Sequence, residues 1–390
     1  MEKEMLLDFE ASWLKDNNSY YTLKEILQQP SVWNKITADL KLKEEEIKNF
    51  IDINIEPDTK IILTGAGTSE FVGNSIFQSF YQRGYNIASI PTTDLITGTT
   101  KYFKKNEKLL LVSFARSGNS PESLGAFNIV NKLCSNVKNI IITCNAKGEL
   151  IKNYSQNSNN FLCLLPPEAN DKSFAMTSSF TGMMMAFSLI MDIQNIDNNI
   201  IEINNMALQT EKNIKTFYQE IKKIAKQKND RIVFLGADEL KGISQESHLK
   251  VLELSAGEVN TFFNSPMGFR HGPKSILNKN TIVFLLMNLS DYQRKYDIDL
   301  VKELHNQKQI DKLVILDFKN DIFIKANCDH YFNFNIQDCE LFVGLNYIIF
   351  AQIYAFYKSL FLNKTPDNPW PSGLVNRVVE GVTIYELEEQ

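Results

Sequence analysis

Histidine and cysteine are scarce in this chain of 390 residues, at four and five copies. The cysteines are Cys134, Cys144, Cys163, Cys328 and Cys339. They form no CxxC pair and show no zinc-finger spacing, which excludes a structural zinc site and a disulfide framework. They read as free buried thiols of a reducing compartment. His248, His305 and His330 stand isolated and read as structural. No two histidines are spaced as ligands on one helix, so no metal is expected. Charge of one sign is also missing. Lys plus Arg is 41 against 46 Asp plus Glu, a net charge of −5. That balance argues against a nucleic-acid surface but leaves room for a local anion pocket. The opening residues, MEKEMLLDFE, carry acids where a secretion signal needs basic residues, and no long apolar run follows. The apolar stretch 341–362 is interrupted by Asn346, Gln352 and Lys358, so it reads as a buried helix rather than a membrane span. The expectation is a cytoplasmic protein that engages neither membrane nor nucleic acid.

Hydrophobic residues at 44% and charged residues at 22% describe a globular chain. Its length allows two or three domains. Four short β-rich runs recur at offsets of 170 to 173 residues. Lys60 to Thr64 matches Arg231 to Leu235, and Leu109 to Phe114 matches Thr281 to Leu286. Asn139 to Thr143 matches Lys312 to Leu316, and Phe161 to Leu165 matches Tyr331 to Asn335. The runs are continuously apolar, as in parallel strands covered on both faces, and helical stretches lie between them. The fold class expected is α/β: two tandem three-layer α/β/α sandwich domains with mainly parallel sheets, arising by internal duplication. The segments expected are an N-terminal helical extension (1–44), a first domain (45–205), a second domain (206–375) and a tail (376–390). The polar stretch Asn195 to Asn205 reads as the linker. Thr22 and Glu25 read as a capping box opening a short helix that Pro30 ends.

In open parallel sheets, ligands bind beyond the carboxyl ends of the strands. Two turns there stand out in the first half. Gly65-Ala66-Gly67-Thr68-Ser69-Glu70 is neither a dinucleotide fingerprint nor a Walker loop. It offers small residues for close backbone approach, then two hydroxyls. In Arg116-Ser117-Gly118-Asn119-Ser120-Pro121, Ser120 suits an N-cap and Pro121 the first helical position. Backbone N–H groups, helix dipole and hydroxyls together make a phosphate site, to which Arg116 adds a charged donor. The corresponding turns of the second half, at Gly236 and Asn288, carry acids instead. There the notable stretch is a helix read from Ser244 to Gly257, with Glu246, Lys250 and Glu253 on one face. This face reads either as a solvated ion-pair stripe or as a wall that holds Glu253 in apolar surroundings, with a raised pKa suited to proton transfer. His271 sits in a Gly/Pro-bounded loop, Arg270-His271-Gly272-Pro273, where a functional histidine is expected.

These motifs together resemble the sugar isomerase (SIS) domain family, which binds phosphosugars, over roughly residues 45–385. They are similar to its tagatose-6-phosphate ketose/aldose isomerase and galactosamine-6-phosphate deaminase branch. The stretches Glu25-Ile26-Leu27-Gln28-Gln29-Pro30 with Trp33, Phe114 to Glu122 and Ser372 to Val379 carry the resemblance to that branch. The resemblance implies that Ser69, Ser117 and Ser120 hold phosphate, with Thr68 and Arg116 beside them. Gly67, Thr177 and Ser178 would line the ligand. Glu253 would shuttle a proton between C1 and C2 of the open-chain sugar. His271 would assist ring opening in a neighbouring subunit's site, with Glu246 and Lys250 completing the wall. It further implies a sugar phosphate substrate, no cofactor, a tail near the active site, and a homodimer or higher homo-oligomer with shared sites. The expected reaction is isomerisation coupled to deamination, galactosamine 6-phosphate giving tagatose 6-phosphate and ammonia. Plain tagatose-6-phosphate isomerisation, fructosamine 6-phosphate cleavage and non-catalytic phosphosugar sensing are the alternatives. Glucosamine-6-phosphate synthase resembles the chain in its isomerase half, but its glutaminase domain has no counterpart here. Its C-terminal lysine falls nearest Glu380, and Arg116 stands where it has glutamine. These departures imply related but different chemistry.

Overall fold

The computed structural model describes residues 4–152, 158–336, 342–379 and 381–386. Cys339, Leu341 and Glu380 lie outside the described residues. Ten strands build two five-stranded parallel sheets. The first sheet takes β1 (Lys60–Thr64), β2 (Asn86–Ser89), β3 (Lys108–Ala115), β4 (Asn136–Thr143) and β5 (Asn160–Leu164), in the order β2-β1-β3-β4-β5. The second takes β6 (Arg231–Leu235), β7 (Asn260–Asn264), β8 (Thr281–Leu286), β9 (Lys312–Asp317) and β10 (His330–Asn333), in the order β7-β6-β8-β9-β10. The two orders are the same, so the duplication extends to topology. Every pairing within these two sheets is parallel; a separate antiparallel pair joins Met5–Leu6 to Phe9–Glu10 near the N-terminus.

The chain forms two compact units that are not contiguous in sequence. One comprises Ser31–Asp171, Ser178–Ile201 and Ser372–Gln390 and contains the first sheet. Its helices include α1 (Thr68–Asn74), α2 (Thr92–Gly98), α3 (Pro121–Leu133) and α4 (Ser178–Met191). Ile62, Leu109, Leu111 and Ile141 pack with Leu95 of α2 and Ala126 and Val130 of α3 on one face. On the other, Phe114 meets Phe187 of α4 edge-on at 6.0 Å. Burial on both faces explains why β3 reads as an unbroken apolar run.

The other unit comprises Met1–Pro30, Lys172–Thr177 and Glu202–Pro371 and contains the second sheet. The division falls within helix α5 (Ile196–Ala225). Residues 196–205, expected as a linker, therefore form the start of a 30-residue helix. The remaining helices of this unit include α6 (Glu239–Leu254), α7 (Asp291–Gln307) and α8 (Val343–Phe361). Val283, Leu285 and Ile315 pack with Leu300 and Leu304 of α7 on one face. Phe284 packs against Phe350 and Tyr354 of α8 on the other. Among the described residues, no helix is long and apolar enough to cross a membrane.

The N-terminal segment departs from its sequence reading. Helix Tyr20–Leu27 starts after Ser19, so Thr22 lies inside it rather than capping it. Thr22 Oγ1 donates to Asp367 at 2.8 Å, and Glu25 accepts from the backbone of Lys172 and Ser173. Pro30 opens helix Gln29–Leu42 instead of ending one. A proline in the first helical turn loses no hydrogen bond there, so it starts a helix as readily as it stops one. Cys134, Cys144 and Cys163 are free and buried, and burial pushes the Cys163 thiol up to about 12.

Candidate functional site

In the first sheet the chain passes from β1 to β2 on one side, while β3 lies on the other. The crevice at this switch point is the place for a ligand. β1 and β3 are in register with Thr64 opposite Ser113, so the two hydroxyl-rich turns leave the sheet side by side. Each turn is shaped by glycine. A Cβ on Gly65 would lie 2.4 Å from the backbone carbonyl carbon of Ser69, so the turn closes only around glycine. Gly67, at φ +57°, leads into α1, whose first residues Thr68 and Ser69 are buried.

In the second turn, Ser117 and Ser120 are half-buried. Asn145 Nδ2 donates to the Ser117 carbonyl at 2.8 Å, and Asn119 N–H donates to Ser117 Oγ at 3.3 Å. Ser120 occupies the N-cap position of α3 with Pro121 following, as expected. Its hydroxyl makes no capping bond, however, and pairs with Ser123 Oγ at 2.7 Å. The first turn of α3 therefore keeps its donors free of that side chain, which suits an anion.

Arg116 is buried, and its Nη2 donates to the carbonyl of Arg377 at 2.8 Å. The guanidinium of Arg377 in turn donates to the carbonyl of Asp171. Asp171 accepts from the N–H groups of Ser178 and Ser179 at 3.0 and 2.9 Å, capping α4. Thr177 and Ser178, expected to line the ligand, are fully buried. The head of α4 is satisfied by this carboxylate of the protein itself. Neither Asp171 nor Arg377 was legible as a site residue: the contacts of Arg377 span 206 and 261 positions, and the cap that Asp171 makes seven and eight residues ahead follows no local capping pattern.

The second-sheet unit carries the other group of candidates. Helix α6 starts at Glu239, five residues before Ser244, which is fully buried inside it. Lys250 Nζ lies 3.1 Å from Glu246 Oε1 and 2.7 Å from Glu253 Oε2. The side chains of Lys250 and Glu246 are 0% exposed, while that of Glu253 is 24% exposed. This face is therefore not a solvated stripe. Glu253, expected in apolar surroundings, is paired with an ammonium group. Burial works against the charge on Lys250, but the two carboxylates outweigh it and hold its pKa above the ordinary lysine value.

His248 stacks on Phe263 at 4.8 Å and meets Thr261 Oγ1 at 3.2 Å. Burial, aided by the charge of Lys250, lowers its pKa to about 4, so it stays neutral. His271 is exposed, in the loop following helix Pro266–Phe269. Its neighbour Arg270 pairs with Glu303 at 2.8 Å, and Lys274 pairs with the same carboxylate.

A model of the SIS domain matches residues 55–191. The chain is 37% identical over 381 residues to the D-galactosamine-6-phosphate deaminase AgaS of Shewanella sp. strain ANA-3, across 96% of this chain and 94% of that protein. The crystal structure of tagatose-6-phosphate ketose/aldose isomerase from Escherichia coli superposes with a TM-score of 0.87 at 33% identity, covering 95% of this chain and 97% of that one. A Clostridium novyi NT protein provisionally given the same name reaches a TM-score of 0.96 at 39% identity, over 99% of this chain and 100% of its own. The chain belongs to the SIS domain family, in the branch of the AgaS galactosamine-6-phosphate deaminases and tagatose-6-phosphate ketose/aldose isomerases.

Proposed function

We propose that this chain converts galactosamine 6-phosphate and water to tagatose 6-phosphate and ammonia. The observation that carries the reading is the charged trio of α6. A fully buried lysine with a fully buried glutamate beside it fixes one carboxylate, Glu253, at the surface. Such an arrangement is costly to bury and adds little to stability, which favours a chemical role. The names of the relatives, at 34–37% identity, supply the substrate class.

In this reading the 6-phosphate binds the hydroxyls of Thr68, Ser69, Ser117 and Ser120 and the N–H groups opening α1 and α3. His271 assists opening of the pyranose, reaching the site of a second copy in a homodimer. Glu253 removes the C2 proton of the open-chain aldosamine, and the electron pair moves to form a C1–C2 enolamine. Glu253 then returns a proton to C1, leaving an imine at C2. Water adds to the imine and ammonia leaves, giving the C2 ketone. With a hydroxyl at C2 instead of an amine, the same shuttle interconverts aldose and ketose. Glu246 and Lys250 keep the Glu253 carboxylate in place. The setting of this metabolism is the cytoplasm.

The test is an assay of ammonia and ketose 6-phosphate release from galactosamine, glucosamine and fructosamine 6-phosphates, with tagatose 6-phosphate as an isomerisation substrate. Ammonia released fastest from galactosamine 6-phosphate is the expected result. Tagatose 6-phosphate turnover without ammonia release would replace deamination by isomerisation. Binding of these sugars without turnover of any would make the chain a sensor.

A further inference from the structure

We infer that Arg116 is a positioning residue that latches the C-terminal segment across the carboxyl-end loops of the first sheet, rather than a ligand of the substrate phosphate. For its effect on turnover, the inference rests on the function proposed above. The latch itself stands on contacts within one unit. Arg116 ends the strand–loop junction just before Ser117, and its Nη2 donates to the Arg377 carbonyl at 2.8 Å. Arg377 donates onward to the Asp171 carbonyl, and the Asp171 carboxylate holds the head of α4. Two loops at one end of the sheet, those after β3 and β5, are thus joined through the tail. Beyond Arg377, Ile384 lies against α3, and a Cβ on Gly125 would come within 3.0 Å of its Cγ2. Cδ1 of Ile96, in α2, lies 3.3 Å from the same Cβ position.

The rest of the segment has little else to hold it. Leu374 is 78% exposed, Val379 52% and Tyr385 80%. A stretch with so few buried apolar side chains opens locally at small cost unless polar contacts restrain it. A guanidinium donating to a carbonyl is a charge-assisted bond, stronger than a neutral one. Because Arg116 is covalently next to Ser117, holding its side chain in place also fixes the backbone of the anion loop.

Hydrogen exchange read by mass spectrometry on the full chain tests this, comparing wild type, Arg116→Ala, Arg377→Ala and the double variant. Amides of 374–379 and 381–386 should exchange about ten- to a hundredfold faster in Arg116→Ala, the loss expected for one charged hydrogen bond. Those of α3 should be unchanged. Arg116→Lys, which keeps one charged donor, should recover part of the protection. If Arg116→Ala raises exchange throughout the first-sheet unit, Arg116→Lys against Arg116→Met decides in the same way. Unchanged exchange of the tail in these variants overturns the latch. In turnover, either alanine variant should lower kcat/KM, and the double variant should fall no further, because both act through one segment. Additive losses would return Arg116 to the phosphate. The exchange result holds whatever the substrate proves to be, so the latch and the proposed function fail separately.

Discussion

The two sheets share one strand order, and at their switch points they share turn geometry as well. Gly67 has φ +57° and ψ −128°, and Asp238, 171 positions later, has φ +52° and ψ −125°. Ser120 and Ser290 take nearly the same N-cap conformation, at φ −65° and −64°. The side chains that face these turns differ. The first switch point presents small residues and hydroxyls. The second is filled by the protein. Arg294 clasps Asp317 with two bonds of 2.7 and 2.8 Å, both side chains being nearly inaccessible. Tyr331 adds a hydroxyl donor to Asp317 at 2.9 Å, and Gln293 donates to Asp238. Asp297 accepts from the N–H of Asn288 at 3.1 Å. The backbone turn thus belongs to the fold, and at the second switch point side chains fill the space beside it with an internal ion pair.

If that division is right, substitutions at the first switch point change kinetics, and those at the second change stability. The largest effect is expected from Ser117→Ala combined with Ser120→Ala. Two hydrogen bonds to a charged group, each worth about 1.5–3 kcal/mol, should cut kcat/KM for a 6-phosphosugar by about 10²–10⁴. The thermal midpoint and any activity on the unphosphorylated sugar should stay put. Equal loss on both sugars would break the comparison. Next comes Arg294→Leu, which leaves Asp317 buried without its cation. About 3–5 kcal/mol should be lost in urea unfolding, with kcat/KM of the folded protein unchanged. A kinetic defect without destabilisation would mean that the second switch point also serves a ligand.

Asp297 sharpens the contrast through pH. Burial raises its folded-state pKa from 3.8 to about 6, outweighing the Asn288 N–H and the charge of Arg294. The folded protein therefore holds that proton more tightly than the unfolded chain does. This group's contribution to stability is full below pH about 4 and is lost as the pH rises through about 6. Asp297→Asn should remove that decline, about 3 kcal/mol, giving a flatter urea midpoint between those pH values. A profile parallel to wild type would place the proton elsewhere. The smallest effect is expected from Gly67→Ala. It is the exception to that division, because it acts on the backbone: space is open around the added Cβ, but the positive φ should cost about 1–3 kcal/mol of stability in urea unfolding.

The strands most deeply buried were the plainest in the sequence. β1, β3 and β4 and their counterparts β6, β8 and β9 stand as apolar runs because helices cover both faces. The edge strands β2, β5, β7 and β10 are partly exposed; β5 and β10 still show as short β-rich runs, whereas β2 and β7 carry none. Residues 196–205 read as a linker because Asn198, Asn204 and Asn205 sit on the outer face of a helix with only one apolar stripe, while the buried Asn199 donates to Asp192. Both hydroxyl-rich turns were legible as candidate anion sites because glycine and hydroxyls at a strand end have few other uses. The spacing of Glu246, Lys250 and Glu253 showed that they share a face, but spacing cannot say whether that face meets water. The contact of Arg116 with Arg377 was beyond reach. It spans 261 positions and ends on a backbone carbonyl, which any residue could have supplied.

The central claim is that Glu253 moves the proton at C2. Proton NMR of galactosamine 6-phosphate in D₂O reads that step at the atom concerned. Wild type should discharge the H2 signal as ketose forms, and Glu253→Gln should slow its loss by about 10²–10⁴ while still binding the sugar phosphate. Loss of H2 at the wild-type rate in that variant would contradict the claim.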